Sequence, residues 1–270
     1  MDEGKIKSAL TSGFFVRLLY GYKRMKIVAV IEARMASTRL PGKVLLESAG
    51  KPMLTHLVDR LRQVPSLDDI VLATTVNPQD EQLVSYAKAH DLAYYRGSES
   101  NVMQRVIEAT ESVAGDLIVE ITGDCPIIDY ELVEQCIALY KANHQSCDFV
   151  SNVVIPSFPD GMEVQVYPLD ILKHSASLTN DPYHQEHVTV HIIQNPALYR
   201  QLHLTAMPSM HWPGLGLTLD EPDDYQLINQ LIEHFGADNP YFGCQDIVSI
   251  LKKKDDWYQY NANVQRRRHT

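Results

Sequence analysis

The first half of the chain alternates short apolar runs with stretches whose apolar residues recur at helical spacing, and this alternation constrains the fold more than any other feature. Four apolar runs are predicted to be buried strands: Lys26–Ala33, Ile70–Val76, Leu92–Tyr95 and Leu117–Thr122. The predicted helices are Leu54–Leu61, Leu83–Ala87, Val102–Val113 and Leu132–Tyr140. This order is typical of an α/β fold with a mostly parallel sheet covered by helices on both faces.

The second half of the chain is less regular. Its predicted strands are Phe149–Val154, Met162–Tyr167, Leu202–Ala206 and Leu215–Leu219, and its predicted helices are Glu186–Gln194, Tyr225–Phe235 and one that begins at Ile247. No internal repeat or low-complexity linker is present, which favours one domain with an inserted arm. We assign that domain to residues 25–257, an N-terminal extension and candidate disordered segment to 1–24, and a basic tail to 258–270, in which Arg266–Arg268 are expected to be solvated.

Composition narrows the functional classes. The 270 residues carry a formal net charge of −10, so a broad basic surface for nucleic acid is not expected. The four cysteines form no CxxC pair, which favours buried thiols in a reduced, cytoplasmic protein. No stretch of roughly 18 apolar residues is present, so a membrane span is not expected either.

A cluster of cations follows the first predicted strand, where Arg34, Arg39 and Lys43 share one loop with Ser37. Guanidinium groups match phosphate oxygens bidentately and an ammonium adds a point charge, so this loop is predicted to bind a triphosphate. It is not a Walker A loop, because Ser37 stands where that motif needs glycine and Val44 follows the lysine. A solvated basic turn is the alternative interpretation.

Two aspartates are candidate ligands for Mg²⁺. Asp124 follows the predicted strand that ends at Thr122, and Asp220 follows the predicted strand that ends at Leu219. Ligands of parallel sheets sit at the carboxyl ends of the strands, and Mg²⁺ prefers one or two carboxylates together with phosphate oxygens and water. Either aspartate could instead cap the helix that follows it.

Several motifs, taken in order, resemble one family. The segment EARMASTRLPGK is similar to the signature of the cytidylyltransferases that make CMP-activated sugars, and most similar to the branch named after the spore coat polysaccharide biosynthesis protein SpsF. The resemblance spans Met25–Leu251. It continues through ATT, YRGSESNVMQR, TGDCPIID, EHVT and LTLDEPDD, at Ala73–Thr75, Tyr95–Arg105, Thr122–Asp129, Glu186–Thr189 and Leu217–Asp224.

The resemblance implies a three-layer, Rossmann-like nucleotide-diphospho-sugar transferase fold and a Mg²⁺-dependent nucleotidyltransferase that forms a homodimer. Such an enzyme would activate a sugar or sugar acid with CTP, release pyrophosphate and serve surface or coat polysaccharide synthesis. The resemblance gives catalytic roles to Arg34, Lys43 and Asp124, and assigns Mg²⁺ to Asp124 and Asp220. The residues that it places at the nucleotide are Ala33, Arg34, Ser37, Arg39, Lys43, Thr74 and Arg105.

The acceptor is expected to meet the nucleotide from the second half of the chain. Asp160 and Glu163 lie at a turn before a predicted strand, where carboxylates could bind sugar hydroxyls. The resemblance also favours Glu186 and His187 near the acceptor, on one predicted helix with His191. These histidines could alternatively form a zinc site or a satisfied polar cluster at a dimer interface.

Glu32 departs from the family pattern, since the sialic-acid and ketodeoxyoctulosonate relatives usually carry Pro there and the SpsF branch often Gln. A glutamate could change the contacts to the base, so triphosphate binding is a firmer expectation than CTP specificity. Two other classes stay open at this point. One is a glycosyltransferase in which Asp124 binds the metal of a nucleotide-diphospho-sugar, and the other is a non-catalytic nucleotide-binding module.

Overall fold

A seven-stranded sheet organises the part of the chain that the computed structural model describes, residues 24–236 and 238–266. The strands are β1 (Ile27–Glu32), β2 (Glu47–Ser48), β3 (Lys51–Pro52), β4 (Asp69–Thr75), β5 (Ala93–Gly97), β6 (Leu117–Thr122), β7 (Phe149–Ser151), β8 (Gln165–Pro168) and β9 (Gln201–His203). In space the large sheet runs β5-β4-β1-β6-β8-β7-β9, while β2 and β3 pair only with each other. Strands β5, β4, β1 and β6 are parallel, and β8 is antiparallel to both β6 and β7.

Helices cover both faces of this sheet. They are α1 (Met53–Leu61), α2 (Glu81–Ala89), α3 (Val102–Ser112), α4 (Tyr130–Asn143), α5 (Leu169–Leu178), α6 (Pro182–Glu186), α7 (Val190–Gln194), α8 (Pro222–Phe235), α9 (Cys244–Leu251) and α10 (Asp255–Tyr258). Two short 3₁₀ turns lie at Lys43–Leu45 and Pro78–Asp80. Among the described residues no helix is long and apolar enough to cross a membrane.

Strand β1 shows why its sequence is an unbroken apolar run. Ile27, Ala29 and Ile31 are buried in a core that α1, α2 and α4 share, and Val28 and Val30 are buried in a second core on the opposite face with α3 and α5. A central parallel strand has no solvent face, so both sets of alternating side chains must be apolar. A third core joins α8 and α9 to the rest of the domain. The structure therefore confirms the predicted three-layer α/β fold.

One predicted strand of the second half is wrong. Residues 215–219 are extended, but they join no sheet, and their neighbourhood contains only an isolated bridge between Asp160 and Gly216. The side chains of Leu215, Leu217 and Leu219 are fully buried in the third core. Their apolar character therefore reflects packing under α8 and α9 and not pairing with another strand.

The predicted helix Glu186–Gln194 is also wrong as a single element. Helix α6 ends at Glu186 and α7 begins at Val190, because His187 has a φ of −107° and a ψ of 78°, outside the helical region. The predicted strands Phe149–Val154, Met162–Tyr167 and Leu202–Ala206 exist in shorter or shifted form as β7, β8 and β9.

The two ends of the chain are described only in part. Residues 1–23 and 267–270, which contain most of the predicted extension and the end of the predicted tail, lie outside the described residues. Within the tail, Asn261 is buried and Arg266 is held in an ion pair with the buried Asp224. The prediction of a solvated side chain is therefore wrong for Arg266, whereas Arg267 and Arg268 lie outside the described residues. All four cysteines are free and buried, as predicted.

Candidate active site

The loop after β1 is folded around its own backbone. The Met35 carbonyl accepts hydrogen bonds from Ser37 N at 2.9 Å and Gly42 N at 3.1 Å, and Asp80 Oδ1 accepts one from Met35 N at 2.7 Å. Gly42 has a φ of 70°, a left-handed conformation that a glycine adopts without steric cost. This geometry turns the chain so that Lys43 lies at the carboxyl edge of the sheet, beside the ends of β1 and β6.

Lys43 lies between the two predicted metal ligands. Its Nζ donates to Asp124 Oδ2 at 2.7 Å and to Asp220 Oδ1 at 2.8 Å. Burial lowers the pKa of Lys43, but the two carboxylates together raise it by more, so the net shift is upward. Burial also acts to raise the pKa of Asp124, and the Lys43 ammonium and further hydrogen bonds outweigh it, so that pKa is lowered. Lys43 and Asp124 are therefore both charged at neutral pH.

The two arginines of the loop also contact carboxylates. Arg39 pairs with Asp220 at 3.1 Å and with Glu221 at 3.6 Å, and Arg34 pairs with Glu99 at 3.4 Å. Both guanidinium groups remain partly exposed to the cleft. Arg39 and Lys43 therefore share Asp220 in one set of ion pairs at a cleft, and Arg34 forms a separate pair, which argues against a solvated basic turn.

Neither aspartate acts as a helix cap. Helix α4 is capped by Asp129, whose side chain accepts from Glu131 N at 2.9 Å. Helix α8 is capped by Glu221 in a capping box with Asp224. The side chains of Asp124 and Asp220 therefore face the cleft, where both accept hydrogen bonds from Lys43.

The chemistry of this pair fits Mg²⁺. Asp124 and Asp220 converge on one cation, the Lys43 ammonium, with both oxygens within 2.8 Å of its nitrogen. No group of three or more His, Cys, Asp or Glu side chains in the described ranges could hold a metal. Mg²⁺ typically takes one or two carboxylates and completes its shell with phosphate oxygens and water, so two aspartates without a protein cage suit it.

Two adjoining clefts meet at these residues. The smaller, of about 340 Å³, is lined by the loop after β1 and by Arg105, and we call it the nucleotide cleft. The larger, of about 560 Å³, extends toward β8 and the α6–α7 segment. We call its part lined by Glu120, Asp160, Glu163 and Glu186 the acceptor half. Volumes of this size are typical of small-molecule sites.

Two carboxyl groups are hydrogen-bonded to each other at the junction of the clefts. Glu32 at the end of β1 lines both clefts, and its side chain is hydrogen-bonded to that of Glu120 on β6. Burial, reinforced by the charge of Glu120, raises the pKa of Glu32 well above its ordinary value. Burial also raises the pKa of Glu120 to about 7, against hydrogen bonds from Tyr167 and Glu32. Glu32 is therefore the protonated member, and it donates to Glu120.

A second acidic pair lies in the wall of the acceptor half. Asp160 and Glu163 contact each other, and Gly161 N donates to Glu163 Oε2 at 2.5 Å. Burial raises the pKa of Glu163 well above its ordinary value, and the neighbouring Asp160 charge adds to this. Burial raises the pKa of Asp160 as well, although Arg266 opposes the shift. Neither carboxyl group is in bulk solvent.

The histidines form a satisfied polar cluster. His184 Nδ1 is hydrogen-bonded to Thr179 Oγ1 and His191 Nδ1 to Ser175 Oγ, each at 2.8 Å. The His184 and His191 rings pack against each other with centroids 5.2 Å apart. These nitrogens are engaged by hydroxyls, which favours the polar cluster over the zinc site.

All but one of the predicted site residues line the clefts. Ala33, Arg34, Ser37, Arg39, Lys43, Arg105, Asp124, Asp160, Glu163, Glu186, His187 and Asp220 each line one or both. Thr74 lines neither, because its side chain is fully enclosed within the sheet on β4. The structure therefore does not bring Thr74 to the predicted nucleotide site.

Sequence reasoning missed two charged residues of the larger cleft. Glu120 lies inside the apolar run LIVEIT, and a lone acid in a buried strand is the signal that could have identified it. Arg266 lies more than forty residues beyond Asp220, and nothing in the local sequence indicates that it returns to contact Thr218 at 2.9 Å and approach Asp160 at 4.0 Å.

Comparison with known proteins identifies the family. A sequence model of the cytidylyltransferase family matches residues 28–259. The chain belongs to the cytidylyltransferase family. The family assignment confirms the predicted resemblance and the predicted enzyme type, a nucleotidyltransferase of the CTP:sugar cytidylyltransferase type.

Individual relatives agree with this assignment. The spore coat polysaccharide biosynthesis protein SpsF of Bacillus subtilis is 32% identical over 234 residues, which cover 85% of this chain and 95% of SpsF. A cytidylyltransferase structure from Leptospira borgpetersenii superposes with a TM-score of 0.83 at 28% identity, over 91% of this chain and all of that one. A CMP:2-keto-3-deoxy-manno-octonic acid synthetase complexed with CTP shares the fold, with a TM-score of 0.57 at 22% identity over 77% of this chain and 99% of that one.

Proposed function

We propose that this member of the cytidylyltransferase family transfers CMP from CTP to a sugar acceptor with Mg²⁺ and releases pyrophosphate. The observation that carries the proposal is the arrangement of Lys43 between Asp124 and Asp220 at the carboxyl edge of the sheet. A triphosphate needs cations to bind it and a metal to neutralise it, and this one site supplies the cations together with the metal ligands. A role in polysaccharide synthesis, a homodimer and a cytoplasmic location remain predictions.

The chain's own residues divide the work between the two clefts. Arg34, Arg39 and Lys43 line the nucleotide cleft, where their charges would hold the phosphates of CTP in place. Each of these cations already faces a carboxylate, so phosphate oxygens would take over contacts that the carboxylates make in the structure. The acceptor half would hold the sugar with a nucleophilic oxygen directed at the α-phosphorus.

Asp124 and Asp220 would hold the metal once Lys43 turns toward the phosphates. Mg²⁺ at that position would neutralise charge on the phosphate oxygens and on the departing pyrophosphate. The two aspartates would hold this charge in place, and Lys43 and Arg39 would add fixed positive charge next to it. Positioning and electrostatics of this kind supply most of the rate in phosphate chemistry, because little covalent work falls to the protein.

The test is pyrophosphate release with each of the four nucleoside triphosphates, Mg²⁺ and a panel of sugars. We expect CTP to be used, and we expect Lys43→Ala to lower kcat/KM by on the order of 100-fold or more, since it removes a contact to developing charge. Lys88→Ala is the matched control, because Lys88 is an exposed lysine on α2 outside both clefts. A Lys43→Ala enzyme as active as the Lys88→Ala enzyme would contradict the proposed role of the loop.

A further inference from the structure

We propose that Asp80 is a positioning residue for the reaction, which fixes the loop after β1 in the shape that receives the triphosphate. The inference rests on the proposed function, because it takes this loop to be the phosphate-binding element. Asp80 lines neither cleft, so it acts on the nucleotide only through the loop.

Asp80 stands directly before α2, at the position where an aspartate usually caps a helix. Its side chain forms no capping hydrogen bond to the first turn of α2, although the structure describes that whole turn. The residue is nevertheless fully buried. A buried carboxylate needs hydrogen-bond donors, so those of Asp80 must come from another part of the chain.

The donors to Asp80 connect the sheet to the loop after β1. Asp80 Oδ1 accepts from Met35 N at 2.7 Å, across 45 positions of sequence, and Oδ2 accepts from the Thr75 hydroxyl. Thr75 is the last residue of β4 and is fully buried, and β4 pairs with β1. Asp80 is therefore fixed to the sheet on one side and binds the loop on the other.

Met35 is the residue of the loop on which the other backbone contacts depend. Its carbonyl accepts from Ser37 N and Gly42 N, as described above, and Arg34 directly precedes it. The hydrogen bond to Asp80 orients the peptide group between Arg34 and Met35. It therefore sets the start of the turn that brings Lys43 to the edge of the sheet.

A second connection reaches the loop through Glu99. Asn77 N donates to Thr75 Oγ1 at 3.1 Å, Asn77 Nδ2 donates to Glu99 Oε2 at 2.8 Å, and Arg34 donates to Glu99 Oε1 at 3.4 Å. This connection ends in a partly exposed ion pair, which a phosphate can displace. The connection through Asp80 ends at a backbone amide and can persist when the nucleotide binds.

Charge alone would favour another residue at position 80. Burial lowers the pKa of Arg105 in the nucleotide cleft, and nearby carboxylates, Asp80 among them, oppose that shift. Asp80 therefore lies within electrostatic range of the cleft, where a negative charge repels a triphosphate. A purely electrostatic role predicts tighter CTP binding when Asp80 is removed. A positioning role predicts weaker binding, because CTP must then order the loop.

Calorimetry with CTP and Mg²⁺ separates these two signs. We expect Asp80→Ala to raise Kd for CTP by about 10-fold, because the loop loses a charge-assisted hydrogen bond. Asp80→Asn is expected to raise Kd by no more than about 3-fold, since its amide oxygen can still accept from Met35 N. The control is Asp170→Ala, because Asp170 is an exposed aspartate in the first turn of α5 and lines neither cleft.

Thr75→Val keeps the proposal testable if Asp80→Ala does not fold. It removes the hydroxyl that orients Asp80 and is expected to raise Kd for CTP by about 3-fold. Combined with Asp80→Asn, it should show a coupling that is absent when it is combined with Asp170→Ala, since Thr75 acts through Asp80.

Hydrogen exchange of the protein without nucleotide provides a direct measurement of the loop. The amides of Met35, Ser37 and Gly42 are expected to exchange about 10-fold faster in the Asp80→Ala protein than in the wild type and in Asp170→Ala. This measurement does not depend on which nucleotide the protein binds.

The outcomes separate this inference from the proposed function. Failure of the wild type to bind any nucleoside triphosphate contradicts both. If the wild type binds CTP, an equal or lower Kd in Asp80→Ala overturns only the inference. Equal exchange of the loop amides in all proteins also overturns it, and so does a loss of stability in Asp80→Ala without a change in Kd.

Discussion

Glu32 and Glu120 are hydrogen-bonded to each other where the two clefts meet. The carboxyl groups come from neighbouring parallel strands, since Glu32 pairs in register with Thr122, two residues after Glu120 on β6. Alternation along a strand puts Glu120 and Thr122 on the same face, so Glu120 and Glu32 lie on one side of the sheet. Two negative charges so close would repel, and retaining one proton avoids this.

This pair predicts a pH dependence of stability. The pKa of Glu120 rises from its ordinary 4.5 to about 7 in the folded protein, so between these values the folded state binds more protons than the unfolded state. Stability contributed by this group is therefore complete at acidic pH and is lost as the pH rises toward about 7. Glu120→Gln is expected to remove this loss, on the order of 2 kcal/mol, relative to the wild type.

Urea denaturation of both proteins at pH 5 and pH 8 measures the effect. The free energy of unfolding of the Glu120→Gln protein, relative to that of the wild type, should be higher at pH 8 than at pH 5. The exposed-site control Glu233→Gln should show the same change between the two pH values as the wild type. Parallel profiles for wild type and Glu120→Gln would show that Glu120 has an ordinary pKa in the folded protein.

For individual residues, the sequence predicted which charged side chains belong to the site but not which side chains contact each other. Arg34, Arg39 and Lys43 could be predicted as a phosphate loop because cations directly after a buried strand have few structural uses. The sequence did not reveal that Lys43 would bind Asp124 and Asp220, since those contacts join residues 81 and 177 positions apart. Only the folded chain brings such distant residues together.

The loop from Asp160 to Glu163 is the element that connects the acceptor half to the third core. Gly161 has a φ of 101°, and a Cβ built there would lie 2.6 Å from the carbonyl carbon of Leu217. The backbone of the extended segment at Leu217 approaches this closely because its amide donates to the Asp160 carbonyl at 2.6 Å. A glycine is required here by conformation and by space.

A series of three substitutions separates these two requirements. Gly214→Ala is expected to be nearly neutral, because nothing lies near its Cβ. Gly50→Ala, with a φ of 75° and open space, is expected to cost about 1 kcal/mol from strain alone. Gly161→Ala adds a clash with backbone and is expected to cost about 3 kcal/mol or more. Thermal unfolding measures the series, and equal losses for Gly50→Ala and Gly161→Ala would contradict the close approach.

The elements that sequence reasoning predicted best are those whose apolar residues follow one period without a break. Strand β1 and helix α3 have continuous patterns, and the structure places them where the pattern predicts. The segment at residues 215–219 misled the prediction because a buried extended chain and a central strand have the same apolar composition. The apolar pattern of a sequence does not indicate whether its backbone N–H and C=O groups pair with another strand.

On the scale of the whole molecule, the end of the described chain closes the fold. Asp224 at the start of α8 is fully buried, and it accepts from Asn261 Nδ2 at 2.8 Å and from Arg266 at 2.6 Å. The Arg266 guanidinium also lies against Gly216, where any side chain would overlap it. These contacts join α8, the residues after α10 and the extended segment.

Arg266→Ala is therefore expected to destabilise the protein by about 2 kcal/mol, because a buried carboxylate loses its charged partner while other hydrogen bonds to it remain. Lys173→Ala is the control, since Lys173 pairs with Glu111 at 2.7 Å on the surface, where water and salt screen the pair and it contributes little to stability. Chemical denaturation measures the free energy of unfolding of the wild type and of both variants. A loss for Arg266→Ala no larger than that for Lys173→Ala would show that Arg266 does not support Asp224.

The position of Lys43 also has a consequence for how substrate enters. Lys43 is already paired with two aspartates, so an arriving triphosphate would meet a lysine whose charge is balanced. Under the proposed function, entry would be an ion exchange, in which phosphate displaces aspartate from Lys43 and the aspartates that Lys43 leaves would hold Mg²⁺. Nucleotide and metal each vacate the place that the other needs, so their binding should be mutually dependent. Neither ion alone would be held as firmly as the two together.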